Sequence, residues 1–210
     1  MNELIKLYVE NNHISDKWGA PEKLAIISTN RHQYLNTYDP LFKRLKKRNN
    51  RILEIGIAEG DSLNLWAEYF TQSVIYGIDN RYPQKRGVKL HWRVRPIKGD
   101  AYTPEMITYL KGIGKFDIII DDGSHLPDDI KFVVDNYREL LTDDGILVIE
   151  DVNNGVCPKT KKKYVDMTVG WFPKDLKKYV YVVYDDRVVS HLYIDTLVIY
   201  DKYEKSRDSM

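Results

Sequence analysis

Cysteine is almost missing from this sequence of 210 residues, since Cys157 is the only one. A single thiol excludes an internal disulfide framework and a zinc cluster built from several cysteines. Neither sign of charge is in excess, because 32 lysines and arginines face 31 aspartates and glutamates. The net charge of +1 gives no general field for nucleic acid or for an anionic membrane. Any partner must therefore be recognised by a local site.

Long apolar runs are also missing. No stretch approaches the roughly 20 apolar residues that span a bilayer, so membrane insertion is not expected. The start, Met-Asn-Glu-Leu-Ile-Lys, lacks the cationic and then apolar pattern of a signal peptide. With 43% hydrophobic and 30% charged residues, the composition is typical of a globular protein. We expect one domain of ordinary size in the cytoplasm, without nucleic acid as a partner.

The most informative stretch is an apolar run that ends in polar residues. Phe116–Ile120 leads directly into Asp121–His125, which contains two carboxylates, a glycine, a serine and an imidazole. Because the isoleucines do not alternate with polar residues, the stretch is typical of a central strand covered on both faces. Ligands of parallel sheets bind outside the carboxyl ends of the strands. Pro127, with Asp128 and Asp129 behind it, predicts that a helix begins just past His125.

A second strand and turn precede it. The segment 51–55 is followed by Gly56, Ala58 and Gly60, and a helix is expected to begin near residue 61. Small residues in such a turn let the backbone approach a ligand. The spacing G-x-A-x-G differs from the dinucleotide fingerprint G-x-G-x-x-G, which disfavours a nicotinamide oxidoreductase. The strand over 74–79 ends in Asp79, about 20 residues later, where an acid can accept from two ribose hydroxyls. The alternative is a tight strand-to-helix connection without a ligand.

Strands and helices alternate through the remaining chain. Further strands are expected over 96–100, 145–151, 180–184 and 196–200, with a turn at 143–145, and helices over 1–12, 31–47, 103–111 and 127–141. This order predicts an α/β fold, a Rossmann-like doubly wound sheet of seven mostly parallel strands with an antiparallel edge strand. We divide the chain into a helical N-terminal segment, 1–48, and a sheet domain, 49–203.

Taken together, these motifs resemble the class I S-adenosylmethionine-dependent methyltransferases over roughly residues 50–200. More narrowly, Ile120–His125 followed by Ile149–Asp151 is similar to the magnesium-dependent sugar O-methyltransferases of macrolide biosynthesis, of the mycinamicin and tylosin type, and to the related cephalosporin hydroxylase group. Ser15–Gly19 and Arg31–Tyr34, with Tyr38, resemble the N-terminal signature of that group. The resemblance implies that residues 1–48 fold as a lid over the cofactor and that residues 49–203 bind S-adenosylmethionine.

The resemblance also implies roles for individual residues. Glu54 would lie near the methionine part of the cofactor, Asp79 at its ribose, and Asp100 with Ala101 at its adenine. The implied cofactor-binding residues are Glu54, Gly56, Gly60, Ser62, Asp79, Asp100, Ala101 and Asp121; the implied metal ligands are Asp122, Glu150 and Asp151; and the implied catalytic residues are His125, as base, and Asp122. The implied metal is Mg²⁺, with Mn²⁺ as the alternative.

The chemistry of these residue types agrees with that assignment. Three carboxylates at two strand ends form a hard oxygen site suited to Mg²⁺. A cation makes a sugar hydroxyl easier to deprotonate, and an imidazole can accept the proton. The structural alternatives are a solvated strand end or helix cap for Glu150 and Asp151, and a hydrogen-bonded turn histidine for His125.

Several functional alternatives stay open at this point. The enzyme could act on a catechol-like diol, or the chain could be a non-catalytic binding module for S-adenosylmethionine or a glycan. The basic run Lys159–Lys163 is either a solvated loop or a rim that attracts a phosphate-bearing substrate. A second copy of the chain is a further candidate partner, which would make the protein a homo-oligomer. The acceptor alternatives are a free sugar, a lipid-linked sugar and a glycoside.

Overall fold

The computed structural model describes residues 2–11, 13, 34–81, 88–184 and 196–203. The signature stretches Ser15–Gly19 and Arg31–Gln33 lie outside these ranges. The helices are α1 (Glu3–Glu10), α2 (Leu35–Phe42), α3 (Asp61–Tyr69), α4 (Pro104–Ile113), α5 (Pro127–Asn136) and α6 (Tyr164–Trp171). The strands are β1 (Arg51–Ile55), β2 (Val74–Asp79), β3 (Val94–Lys98), β4 (Phe116–Asp121), β5 (Leu141–Ile149), β6 (Val180–Tyr184) and β7 (Thr196–Asp201).

The seven strands form one sheet in the order β3-β2-β1-β4-β5-β7-β6. The first five strands in that order pair in parallel. β7 is antiparallel to both of its neighbours, β5 and β6, so the antiparallel pairing lies at one side of the sheet. This arrangement confirms the predicted fold class. The strand order reverses between β1 and β4, which is where parallel sheets bind ligands.

β4 is buried on both faces, as its isoleucine run predicts. Ile118 and Ile120 belong to the hydrophobic cluster on one face of the sheet, and Ile119 belongs to the cluster on the other. In the register of the sheet, Asp121 at the end of β4 lies beside Ile55 at the end of β1. The ends of these two strands therefore bring the glycine turn and the acidic turn together.

The described part of the N-terminal segment packs into this core. Tyr38 of α2 is fully buried, stacks on Phe42 with ring centroids 5.0 Å apart, and meets the edge of Trp66 of α3 at 5.6 Å. Both α1 and α2 contribute side chains to the cluster that contains Ile118 and Ile120. The N-terminal helices and the sheet thus share one hydrophobic core on this face.

Some predicted boundaries are wrong, and hydrogen bonding explains why. α2 ends at Phe42 because tight turns follow, with Leu45 and Arg48 donating to carbonyl groups three residues back. α5 ends at Asn136, after which a 3-10 helix continues to Leu140. The expected turn at 143–145 lies within β5, whose pairing with β4 is irregular between Phe116 and Ile118. β5 therefore starts earlier than predicted, and the residues of the expected turn lie in the irregular part of its pairing with β4.

His13 links the N-terminal segment to α3. Its Nε2 lies 2.9 Å from Oε2 of Glu68 and its Nδ1 lies 3.5 Å from Oδ1 of Asp61. Burial by itself lowers the pKa of His13, but the hydrogen bonds and charges of Asp61 and Glu68 together raise this pKa above its ordinary value. Folding therefore favours the protonated ring.

We expect the His13→Gln variant to lose stability in a pH-dependent manner. A raised folded-state pKa contributes stability that is complete below the unfolded pKa of about 6.5 and is lost as the pH rises through the folded pKa. Urea denaturation at pH 5.5 and pH 8.5 should show a larger loss of unfolding free energy at pH 5.5. His91→Gln is the control, because burial lowers the pKa of His91. The loss of unfolding free energy in this variant should therefore not be larger at pH 5.5 than at pH 8.5. An equal loss at both pH values would contradict the assigned role of His13.

Candidate active site

A cavity of about 620 Å³ opens at the carboxyl ends of β1, β2 and β4. Five of the eight predicted cofactor-binding residues line it, namely Gly56, Ser62, Asp79, Asp100 and Ala101. The walls also include Asp122, His125 and Asp151, so the predicted cofactor site and the predicted catalytic site are continuous. Pockets of 300–1,000 Å³ hold ligands the size of cofactors.

Glu54 lies behind the cavity wall. The side chain is fully buried, and its Oε2 accepts hydrogen bonds from Ser62 Oγ at 2.8 Å and from Trp66 Nε1 at 3.0 Å. Ser62 lines the cavity, whereas Trp66 lies in the core. Glu54 therefore holds the first turns of α3 against the end of β1. Gly60, the residue before α3, has the left-handed φ of 87° that starts this helix.

Asp121 also lies outside the cavity wall, and its side chain is almost entirely buried. Its Oδ1 accepts from the Tyr102 hydroxyl at 3.1 Å. Burial raises the pKa of Asp121 to about 7, although the bonds from Tyr102 and from the backbone of Gly123 act in the opposite sense. Tyr102, which the motifs did not reveal, lines the cavity, and its hydroxyl accepts from Ser124 N at 3.0 Å. Asp121 and Tyr102 together fix the turn after β4.

Asp79 is oriented by two backbone donors. Its Oδ2 accepts from Ala58 N at 3.2 Å, across the glycine turn, and its Oδ1 accepts from Arg81 N at 2.7 Å. These bonds hold the carboxylate at the cavity wall, at the end of β2. An acid in this position is suited to neighbouring hydroxyl donors.

Gly56 is required by the protein itself as well as by any ligand. Its φ of 78° is left-handed, and a Cβ there would lie 2.0 Å from the carbonyl oxygen of Asp122. The Asp122 amide in turn donates to the Ile55 carbonyl at 2.9 Å. The absent side chain therefore lets the turn after β4 rest on the turn after β1. The sequence-based interpretation, that glycine here admits a ligand, omitted this contact.

We expect Gly56→Ala to lower the free energy of unfolding by about 2 to 5 kcal/mol, since a left-handed alanine and an overpacked turn both cost energy. Gly112→Ala is the matched control, because an added Cβ meets nothing within 4 Å on the exposed face of α4. That control should gain up to about 1 kcal/mol from helix propensity. Denaturant titrations of both variants test the contrast, and a neutral Gly56→Ala would refute the role of this contact.

Three of the predicted catalytic and metal-binding residues converge at the cavity. Asp122, His125 and Asp151 each offer a ligand atom, and these atoms lie within 4.8 Å of one another. His125 Nε2 is 3.9 Å from Asp122 Oδ1 and 3.9 Å from Asp151 Oδ2. Both His125 and Asp151 have left-handed backbones, with φ of 56° and 52°. Non-glycine residues held in this way cost energy and are concentrated at functional sites.

Glu150, the remaining predicted metal ligand, is placed differently. It lies outside the group that Asp122, His125 and Asp151 form, is almost fully buried, and its Oε1 accepts from the Tyr38 hydroxyl at 2.6 Å. The reason is strand alternation: Glu150 continues the face of Ile146 and Val148, against which α2 packs. The positive φ of Asp151 breaks the alternation and turns that residue toward His125.

Two tyrosines of the N-terminal segment thus reach the acidic end of β5. The Tyr34 hydroxyl donates to Asp151 Oδ1 at 2.5 Å, as Tyr38 does to Glu150. Burial, followed by the charge of Glu150, raises the pKa of Tyr38 well above its ordinary value. Burial and the charges of Asp151 and Glu150 likewise raise the pKa of Tyr34. Both phenols therefore remain protonated donors.

Comparison with known proteins agrees with this architecture. The sequence model of a family described as "Methyltransferase domain" matches residues 53–152. The chain superimposes on the MycE methyltransferase from the mycinamycin biosynthetic pathway, solved with Mg, SAH and mycinamycin VI, with a TM-score of 0.67 and 23% identity. This likeness of fold covers 93% of the chain and 52% of that protein. The sequence match over residues 53–152 and the likeness of fold to MycE therefore agree with the methyltransferase resemblance that the strand-end motifs predict.

Its curated relatives are O-methyltransferases. The chain is 31% identical over 157 residues to the 8-demethyl-8-(2-methoxy-alpha-L-rhamnosyl)-tetracenomycin-C 3'-O-methyltransferase of Streptomyces olivaceus, covering 70% of the chain and 36% of that protein. It is 32% identical over 135 residues to the mycinamicin VI 2''-O-methyltransferase of Micromonospora griseorubida, covering 60% and 33%. The chain spans 40% or less of the length of the curated relatives it matches.

Within the described ranges, the structure contains no helix that is both long enough and apolar enough to cross a membrane.

Proposed function

We propose that the protein transfers the methyl group of S-adenosylmethionine to a hydroxyl group of a sugar, with a divalent cation at Asp122 and Asp151. The observation that carries this proposal is the position of His125 and the two acids on the wall of a cofactor-sized cavity. The sugar O-methyltransferases among the relatives support the choice of acceptor.

The cofactor would occupy the part of the cavity nearest β1 and β2. Asp79 would accept hydrogen bonds from the ribose hydroxyls, and Asp100 with Ala101 would border the adenine. Gly56 shapes the floor, while Glu54 and Gly60 set the start of α3 and Asp121 holds Tyr102 at the wall. Bound S-adenosylmethionine supplies an activated methyl group, so the protein's task is to orient the acceptor oxygen and to remove its proton.

The residues present fit a divalent cation of the hard type. Asp122 and Asp151 offer carboxylate oxygens, which Mg²⁺ and Mn²⁺ both accept, and Glu150 is the third ligand that we propose. A bound cation would make a sugar hydroxyl easier to deprotonate. His125 would then accept the proton at Nε2, the nitrogen that faces both aspartates. Asp122, as a ligand of the cation beside His125, would help to position the acceptor hydroxyl.

The acceptor is proposed to be a glycoside or another sugar-bearing small molecule. All four lysines between residues 159 and 163 are exposed on the loop after Asp151, so acceptors that carry phosphate belong in the test. A screen with labelled S-adenosylmethionine would compare glycosides, nucleotide sugars and catechols. Methylation of catechol alone would replace the proposed sugar acceptor, and binding without any turnover would favour the non-catalytic alternative.

Cofactor binding is testable without knowing the acceptor. Calorimetry should show S-adenosylhomocysteine binding in the absence of metal, and Asp79→Ala should weaken it about ten- to a hundredfold. Each lost hydrogen bond to a charged group is worth about 1.5 to 3 kcal/mol. Asp135→Ala, which removes an exposed acid of α5, is the control and should bind normally. Tight NADH binding with no response to S-adenosylhomocysteine would overturn the proposal.

A further inference from the structure

The acidic end of β5 is contacted by phenol groups from outside the sheet. Tyr34 lies just before α2, and Tyr38 lies within it. Both are more than a hundred residues from the acids in sequence, yet Tyr34 donates a short hydrogen bond to Asp151 and Tyr38 donates one to Glu150. Both tyrosines are almost fully buried, so the bonds are protected from water. Hydrogen bonds to charged groups are roughly twice as strong as neutral ones.

The two bonds distinguish the oxygens of each carboxylate. Tyr34 engages Oδ1 of Asp151, while Oδ2 of the same group lies 3.9 Å from His125 Nε2. Tyr38 engages Oε1 of Glu150. A phenol that occupies one oxygen fixes the rotation of the carboxylate and therefore the direction of the other oxygen. For Asp151, that other oxygen faces the group formed with Asp122 and His125.

The phenols are themselves held rigidly. Tyr38 packs between Phe42 and Trp66, and Tyr34 lies beside Tyr38 with ring centroids 6.2 Å apart. Trp66 also donates to Glu54 behind the cofactor cavity. A continuous set of buried rings therefore joins the carboxylate behind the cofactor cavity to the acids at the end of β5.

We propose that Tyr34 and Tyr38 are positioning residues for the cation site, an inference that rests on the proposed function. Their hydroxyl groups orient Asp151 and Glu150 before the cation binds, so the N-terminal segment sets the affinity of the site for its metal. Neither phenol transfers a proton or contacts the acceptor in this role. Partners that orient metal ligands typically change metal affinity by 10- to 100-fold when they are removed.

The test measures Mn²⁺ affinity by electron paramagnetic resonance, in the presence of S-adenosylhomocysteine, for the whole chain and for Tyr34→Phe and Tyr38→Phe. Phenylalanine keeps the ring packing and removes only the hydroxyl. Each variant should bind Mn²⁺ about 10- to 100-fold more weakly, with S-adenosylhomocysteine affinity in metal-free buffer within twofold of native.

Tyr69→Phe is the matched control. The Tyr69 hydroxyl donates to Asp39 Oδ1 at 3.0 Å, another buried phenol bonded to a carboxylate between α3 and α2, but away from the end of β5. It should leave Mn²⁺ affinity unchanged, and an equal loss there would overturn the inference. Native-like Mn²⁺ affinity in Tyr34→Phe and Tyr38→Phe would overturn this inference and leave the proposed cation site standing. Absence of Mn²⁺ binding by the native chain would instead overturn the proposed cation, and this inference with it.

Discussion

Replacing His125 is expected to lower kcat by about 10²- to 10⁴-fold on an accepted substrate, the usual contribution of a general base. The physical reason is the position of Nε2, which faces both Asp122 and Asp151 at the cavity wall. Single-turnover kinetics with His125→Asn would measure the chemical step directly. Affinity for S-adenosylhomocysteine and for Mn²⁺ should be retained, because the imidazole is not among the proposed ligands of either.

Asparagine is chosen because His125 has a left-handed backbone, with φ of 56°. Asparagine adopts this conformation more readily than alanine does, so it preserves the turn while removing the base. His125→Ala removes the base and also strains the turn. If histidine only stabilised the turn, His125→Asn would turn over within a few-fold of native and His125→Ala would be the impaired variant. If His125 is the base, both variants should instead lose about 10²- to 10⁴-fold in kcat or more.

The second large effect concerns the cation. Turnover should disappear with EDTA and return with Mg²⁺ or Mn²⁺, because both ions accept all-oxygen sites. Asp151→Asn should weaken Mn²⁺ binding by more than the 10- to 100-fold that is typical of residues that only orient ligands. This substitution keeps the size of the side chain and suits the left-handed backbone at residue 151, so the loss reports on the charge. Full activity in chelator would refute the cation site.

The Glu150→Gln variant tests whether the buried Glu150 is a ligand of the cation. If Glu150 is a ligand, as we propose, rate and metal dependence should fall together while S-adenosylhomocysteine affinity stays nearly unchanged. The Tyr38 hydroxyl can still donate to the glutamine side-chain oxygen, so the packing of α2 should survive. Retained Mn²⁺ affinity in this variant would limit the ligands to the group that contains Asp122 and Asp151.

The strand ends could be predicted because their signal is local. The isoleucine run before Asp121 and the apolar run before Glu150 each identify a buried strand, and parallel pairing brings their ends to one edge. Asp79 could be placed in the same way, at the end of β2. These inferences need only the period of hydrophobic residues and the general geometry of sheets, and they support the fold class. The placement of Ser62, Asp100 and Ala101 at the cofactor came instead from the resemblance to the methyltransferases.

Long-range contacts could not be predicted from such signals. The side on which Glu150 lies depends on the packing of α2, and the requirement for Gly56 arises from the carbonyl of Asp122. Helix α6 was missed because its first turn follows a run of lysines and it buries only Val165 and Thr168. Tyr102 carries no motif, and its role depends on a turn 22 residues away.

The position of β7 has a consequence for how the molecule is made. β7 is the last described strand along the chain, yet it lies inside the sheet and pairs with β5 from Ile146 to Ile149. During synthesis, the strand that carries the acids therefore keeps an open, apolar edge until residues 196–201 leave the ribosome. Open edges invite pairing with other chains. A chain stopped after Tyr184 should consequently aggregate, and completion of the acidic strand end must follow translation of residues 196–201.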